Sequence, residues 1–342
     1  MISPEKLLKL LERANRTTLE HHGKEITIER AIFLTWWCDK GDCKFCYMSA
    51  QRPKIKNPEK AKRKISRILA EAEICRRMGI NIEFLSGGYG LYTAKELKEI
   101  AELVAYVHNS PLWLNVGVLP SSALELFGEE VEGITGAIET FDMKLHDFVC
   151  PSKPVAPILK MLENANEMGY KTGITIILGL GERLEELPWL FKVVEEYKID
   201  RITFYSLNPH KDTYFADYPP PPSLYQAYII ARTRMEFPKI KIVSGTWIDQ
   251  LSNIGACILA GANGITKFPL FSIIGNRYGK KIEEEVRAAG RRLKGTLTDI
   301  TKLNNATIEE RKFSQPHRFV EIKPEFEKMV KDYIDKIIKR RS

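Results

Sequence analysis

The chain has 342 residues, 44% hydrophobic and 28% charged, with 52 Lys+Arg against 44 Asp+Glu for a net charge of +8. That composition excludes wholesale disorder, and the length can bury a full core without staples. The charge-free stretch Gln250–Thr266 is too short and too polar to cross a bilayer, so no membrane partner is expected.

Helices and strands alternate along the chain. A leading helix over Pro4–Glu20 places Leu7, Leu8, Leu11 and Ala14 on one face. Apolar runs at Ala31–Trp37, Ile82–Leu85, Leu112–Leu119, Ile134–Glu139, Thr172–Leu178, Arg201–Leu207, Ile240–Thr246 and Asn263–Phe268 read as buried strands. Helical patterns separate them: one starting at the Asn57-Pro58 cap, then Thr93–His108, a short stretch at Ser121–Phe127, Lys153–Met168, Leu184–Tyr197, Leu224–Phe237 and Trp247–Ala260. Helices over Ile282–Lys294 and Pro324–Arg340 follow the last strand. Eight such units predict an α/β fold, a (β/α)8 TIM-type barrel with an N-terminal helix and a C-terminal helical extension. An open doubly wound sheet is the alternative. The chain divides as a lead-in over 1–30, a barrel core over 31–268 and an extension over 269–342, all one domain.

The N-terminal stretch Met1–Glu12 is charged and helix-like, so no signal peptide is expected. Six cysteines do not suggest a disulfide framework, and a cytoplasmic, reducing compartment is expected. The charge excess reads as spread out, with one basic cluster, Lys339-Arg340-Arg341, suited to a helix C-terminus.

The sharpest feature is Cys38-Asp-Lys-Gly-Asp-Cys43-Lys-Phe-Cys46, spaced C-x4-C-x2-C directly after the first strand. In a barrel that rim is where chemistry collects. Three thiolates can hold a zinc ion, with a fourth ligand from His21, His22 or Cys150, or an iron–sulfur cubane with one iron left open. Cys75 and Cys257 lie among apolar neighbours on helices and read as small hydrophobes. Cys150 is assigned no role.

These residues resemble the radical S-adenosylmethionine superfamily: three cysteines after the first strand, an aromatic (Phe45) before the last, and the glycine turn Ser86-Gly87-Gly88 after the second strand. Ile177-Leu-Gly179-Leu-Gly181-Glu182 after the fifth strand and Glu139-Thr140 at the end of the fourth resemble the biotin synthase group, with FeFe-hydrogenase maturase and methylornithine synthase. Trp36-Trp37-Cys38 and Cys46-Tyr47-Met48 are similar to methanogen radical SAM proteins tied to the iron–guanylylpyridinol cofactor. That likeness implies an archaeal enzyme of cofactor biosynthesis. Two departures stand out. The usual spacing is C-x3-C-x2-C, and Ile158 occupies the position of the arginine that grips the S-adenosylmethionine carboxylate, leaving Lys153 or Lys160 to substitute.

The resemblance implies a 4Fe–4S cluster on Cys38, Cys43 and Cys46, with S-adenosylmethionine bound by Phe45, Ser86, Gly87, Gly88, Glu139, Lys153, Ile177 and Leu207. It also implies reductive formation of a 5′-deoxyadenosyl radical, a ferredoxin- or flavodoxin-type electron donor, a small-molecule substrate and, as a candidate partner, a biosynthesis protein. Substrate contacts are expected from Asn115, His146, Tyr205, Trp247 and Lys267 at strand ends. His146, read as a loop residue, is the weakest candidate. Action on tRNA or a peptide is the alternative within the superfamily, though no basic arm favours nucleic acid. A zinc-binding interaction protein is the alternative outside it.

Overall fold

A computed structural model describes residues 2–305 and 310–340; Arg341 of the terminal basic cluster lies outside them. Eight parallel strands close into a barrel: β1 (Glu25–Phe33), β2 (Asn81–Ser86), β3 (Leu112–Asn115), β4 (Val131–Glu139), β5 (Lys171–Leu178), β6 (Arg201–Ser206), β7 (Lys241–Gly245) and β8 (Gly264–Thr266). β1 pairs in parallel with both β2 and β8, which closes the ring and rules out the open sheet. Every residue of β5 after Lys171 is buried, as expected of a strand covered on both faces.

The helices are α1 (Pro4–His22), α2 (Tyr47–Gln51), α3 (Ile65–Met78), α4 (Ala94–His108), α5 (Ser121–Leu124), α6 (Met143–Val149), α7 (Val155–Glu167), α8 (Leu187–Glu196), α9 (Ser223–Glu236), α10 (Asn253–Leu259), α11 (Leu270–Ile273), α12 (Arg277–Ala288) and α13 (His317–Lys339). Local signals set many of their ends. Thr93 and Glu96 form a reciprocal capping box at α4, and Asn109 ends that helix in the left-handed region.

Several elements depart from the sequence-based expectation. β1 begins at Glu25, before the expected Ala31, because Glu25-Ile26-Thr27-Ile28 alternates and buries Ile26 and Ile28. Leu34–Trp37 leaves the sheet, although Leu34 N–H still donates to the Ser86 carbonyl at 2.7 Å. Arg292–Lys294, expected at the end of a helix, is instead strand β9, paired with Glu25–Thr27 of β1. Gly290, at φ +71°, breaks the helix before it. Asn57 caps only a 3₁₀ turn, Pro58–Ala61, and the helix proper starts at Ile65. α13 starts at His317 and carries Pro324 inside.

The barrel interior is polar. Glu83 on β2 is fully buried and accepts hydrogen bonds from Thr203 (3.0 Å), Tyr205 (2.6 Å) and Thr266 (2.6 Å) on strands across the barrel. Below it, Glu29 sits 3.3 Å from Lys241 and 4.0 Å from Arg201. A buried carboxylate is tolerated only with such partners. The hydroxyls and charges form a plug that supports the upper end of the barrel.

Candidate active site at the barrel mouth

A cavity of about 160 Å³ opens at the C-terminal ends of the strands. Cys38, Cys43, Cys46, Phe45, Ser86, Gly87, Gly88, Asn115, Glu139 and Lys153 line it together, ten of the residues singled out from sequence. Met48 and Ile158, noted from sequence for the Cys46-Tyr47-Met48 likeness and the missing arginine, also line it, as do Tyr89 and Met161, which the sequence did not single out.

The cysteine loop is pinned from both sides. Tyr89 N–H donates to Cys38 Sγ at 3.3 Å, and Asp39 N–H donates to the Tyr89 carbonyl at 2.9 Å. Gly88 is required by this contact, since a Cβ there would lie 2.3 Å from the Trp37 carbonyl oxygen. Lys44 N–H donates to the Val149 carbonyl, and the Lys44 carbonyl accepts from Tyr214 N–H at 3.0 Å. Gly41, at φ +51°, absorbs the extra residue of the first spacing.

Lys153 and Glu139 form a buried ion pair at the cavity wall. Burial pulls Lys153 down, but Glu139, Cys150 and Cys43 outweigh it and hold the ammonium well above an ordinary lysine. Glu139 stands at φ +71° beside a register shift in the β4–β5 pairing, a strained backbone for a non-glycine residue. Lys160 is exposed and bonded to Glu163 at 2.7 Å, so it does not reach the cavity. Ile158 does line the cavity, where the arginine was expected.

Beside the cysteines, Phe45, Ile177, Leu180, Leu207 and Phe215 form one apolar cluster with Cys43, Cys150 and Val149. The Gly179–Glu182 turn that shapes it is held by the Glu182 carboxylate, which accepts from Gly179 N–H at 2.9 Å, Gly181 N–H at 3.1 Å and Tyr225 O–H at 2.8 Å. Leu180 and Phe215 were missed, Leu180 inside a motif read for its glycines and Phe215 in a loop with no pattern. Cys150, assigned no role from sequence, is buried and hydrogen-bonded to Cys43. That bond lowers the Cys43 thiol and raises Cys150, while burial and the neighbouring Cys43 push Cys46 up to about 11.

The substrate candidates divide. Asn115 lines the cavity. Tyr205 packs on the apolar cluster and donates to Glu83, and Lys267 lies 4.8 Å over its ring, half-buried at φ +77°. His146 is not a loop residue: it lies on α6, unanticipated from sequence, is buried away from the cavity, and its Nε2 has no partner. Trp247 follows β7, half-buried and outside the cavity lining.

The donor set fits a cubane better than a single ion. Cys38, Cys43 and Cys46 are free thiols around an open cavity. Among the described residues, no three His, Cys, Asp or Glu side chains converge on one point. Tetrahedral zinc needs four that do, whereas a cubane takes each thiolate on a different iron.

The Radical SAM superfamily profile matches residues 32–194, which hold the cysteine loop, the Ser86-Gly87-Gly88 turn, Glu139 and Lys153. An uncharacterized protein of Methanocaldococcus jannaschii is 42% identical over 347 residues, 98% of this chain and 96% of that one. The 3-methylornithine synthase of Methanosarcina acetivorans is 23% identical, with 86% of this chain and 85% of that enzyme covered. Among solved structures, the FeFe-hydrogenase maturase HydG from Carboxydothermus hydrogenoformans shares the fold with a TM-score of 0.72 at 17% identity, covering 99% of this chain and 84% of that one. The chain belongs to the radical SAM superfamily, enzymes that work with a 4Fe–4S cluster and S-adenosylmethionine.

Proposed function

We propose that this enzyme cleaves S-adenosylmethionine reductively and abstracts hydrogen from a small molecule in cofactor biosynthesis. The observation that carries this reading is the single cavity shared by three free thiols, a glycine turn and the Glu139–Lys153 pair. A 4Fe–4S cluster there would be held by Cys38, Cys43 and Cys46, and would supply the electron that reductive cleavage of the sulfonium needs. Lys153 and Glu139 satisfy each other without ligand and are complementary to an amino-acid zwitterion, Lys153 to its carboxylate and Glu139 to its ammonium. Ser86, Gly87 and Gly88 bring backbone polar groups to the same head. Phe45, Ile177 and Leu207 offer the adenine an apolar wall that excludes water. Asn115, Tyr205 and Lys267 face the substrate, and an external one-electron donor completes the cycle.

Trp36-Trp37-Cys38 and Cys46-Tyr47-Met48 favour a substrate on the route to the iron–guanylylpyridinol cofactor, so pyridinol precursors are the first to screen. The test is anaerobic reconstitution with iron and sulfide, then electron paramagnetic resonance of the reduced protein with and without S-adenosylmethionine. About four irons per chain and a signal that shifts on adding S-adenosylmethionine are expected. Zinc binding without iron, in a colourless protein, would overturn the reading in favour of a structural metal site.

A further inference from the structure

Thirteen large hydrophobic side chains are exposed among the described residues, and five are aromatic: Trp36, Tyr47, Phe148, Tyr214 and Tyr218. All five lie on one face, immediately outside the cysteine loop. Trp36 meets Tyr47 at 5.7 Å between ring centroids, and Tyr47 meets His210 at 5.5 Å. Phe148 meets Tyr214 at 5.3 Å, and Tyr214 meets Tyr218 at 5.7 Å. The loop that carries both His210 and Tyr214 joins the two groups, and Lys44, between two of the cysteines, holds the second: its ammonium lies 4.8 Å over Phe148 and its carbonyl accepts from Tyr214 N–H. Exposed aromatics are scattered at random on an inert surface and gathered on a binding one.

The charge on this face is also uneven. Residues 38–64 carry nine Lys or Arg against three Asp or Glu. Lys62, Arg63 and Lys64 at the end of this segment are paired with Glu96, Glu71 and Glu325 of other elements. Lys54 is bonded to Asp212 on the loop that carries Tyr214, which places the basic segment against the aromatic one. Lys44, Arg52 and Lys56 form no ion pair among the described residues. Unpaired basic groups around an aromatic centre complement an acidic protein, and attraction of this kind raises the association rate.

The occupant follows from what lies behind the face. Cys43 and Cys46 are on its inner side, and the described chain brings no second thiol cluster that could deliver an electron. We propose that this face docks a small acidic one-electron carrier protein, which gives up one electron to the cluster and leaves oxidised by one, with no proton transferred. The carrier's identity as an electron donor rests on the cluster reading above; the basic and aromatic docking chemistry does not.

The test measures binding, so it needs no turnover. A purified acidic 2Fe–2S ferredoxin is titrated into the protein, with and without reconstituted cluster, at low and at high salt. Association at low salt that weakens by about tenfold or more at high salt is expected, as screening removes the attraction. The double variant Lys54→Glu/Lys56→Glu and, separately, Tyr214→Ser should each weaken it by about tenfold, while the remote Lys192→Glu should not. Both variants should keep dithionite-driven formation of 5′-deoxyadenosine and lose ferredoxin-driven formation. Binding that ignores all three substitutions, or no binding by the wild type, would overturn the proposal. Single-stranded RNA bound in preference to ferredoxin would also overturn it and give the face to nucleic acid. Ferredoxin binding in a protein that yields no 5′-deoxyadenosine even with dithionite would leave docking standing and remove the radical reading.

Discussion

At the residue scale, two lysines were legible in the sequence as candidates, but their difference was not. Lys153 is buried against Glu139 and stays charged, whereas burial lowers Lys267 to about 8 and no carboxylate pairs with it among the described residues. For Lys267, the folded pKa lies below the unfolded value near 10.4. The folded state therefore binds fewer protons between those values, and stability falls as pH drops from the unfolded value to about 8. Below pH 8 the cost is fully present. Lys267→Met should accordingly raise the thermal midpoint at pH 7 by a few degrees while lowering turnover, the pattern of a site held at the expense of stability. A midpoint that falls would mean that the ammonium has a partner. Lys153→Met should weaken S-adenosylmethionine binding by about 30-fold, or about 2 kcal/mol, because Glu139 loses its counter-ion. Lys160→Met, at an exposed position, should leave the affinity unchanged, and titration calorimetry of the two variants decides between them.

At the element scale, sequence patterns located seven of the eight barrel strands within a few residues, since β-branched runs between helical periods have no other stable use in a parallel sheet. The first strand was misplaced because its lower half alternates with polar residues. Those polar residues are buried by partners that only the closed barrel supplies, as Glu29 is by Lys241. Helix α6 was invisible for a related reason: it is only two turns long, and its cap, Asp142, is recognised through Arg183 on a distant loop at 2.7 Å. The fully buried Arg234 on α9 shows how the outer helices are joined. It donates to the Gly261 carbonyl at 2.9 Å and the Ile240 carbonyl at 2.8 Å, and it reaches His22 on α1 at 3.0 Å. Arg234→Met would orphan several carbonyls at once and should cost about 3 kcal/mol or more in urea unfolding. Burial and then Arg234 lower His22 to about 4. A histidine lowered in the fold contributes stability that is present above its unfolded pKa near 6.5 and is lost as pH falls toward 4. His22→Asn should therefore lose less of its thermal midpoint than the wild type between pH 7 and pH 4.5. An equal loss would mean that the imidazole is not strained by the arginine.

At the scale of the whole molecule, the barrel separates support from chemistry. The lower interior is a plug of Glu29, Glu83, Arg201 and Lys241, and the upper rim carries the thiols, the zwitterion-matching pair and the aromatic–basic face. The cysteine loop and the glycine turn were legible because their residue types have few other uses at that spacing. The pairing of Lys153 with Glu139, the bond between Cys150 and Cys43 and the gathering of five exposed aromatics were not, because each joins positions far apart in sequence. A cluster held by the three thiols would cleave S-adenosylmethionine in the cavity between them. The most direct measurement is 5′-deoxyadenosine formed per chain under dithionite after anaerobic reconstitution, in the wild type and in Cys43→Ala. 5′-Deoxyadenosine is expected from the wild type and none above background from the variant. Iron-loaded wild type that yields none with pyridinol precursors present, or a variant that yields as much, would contradict it.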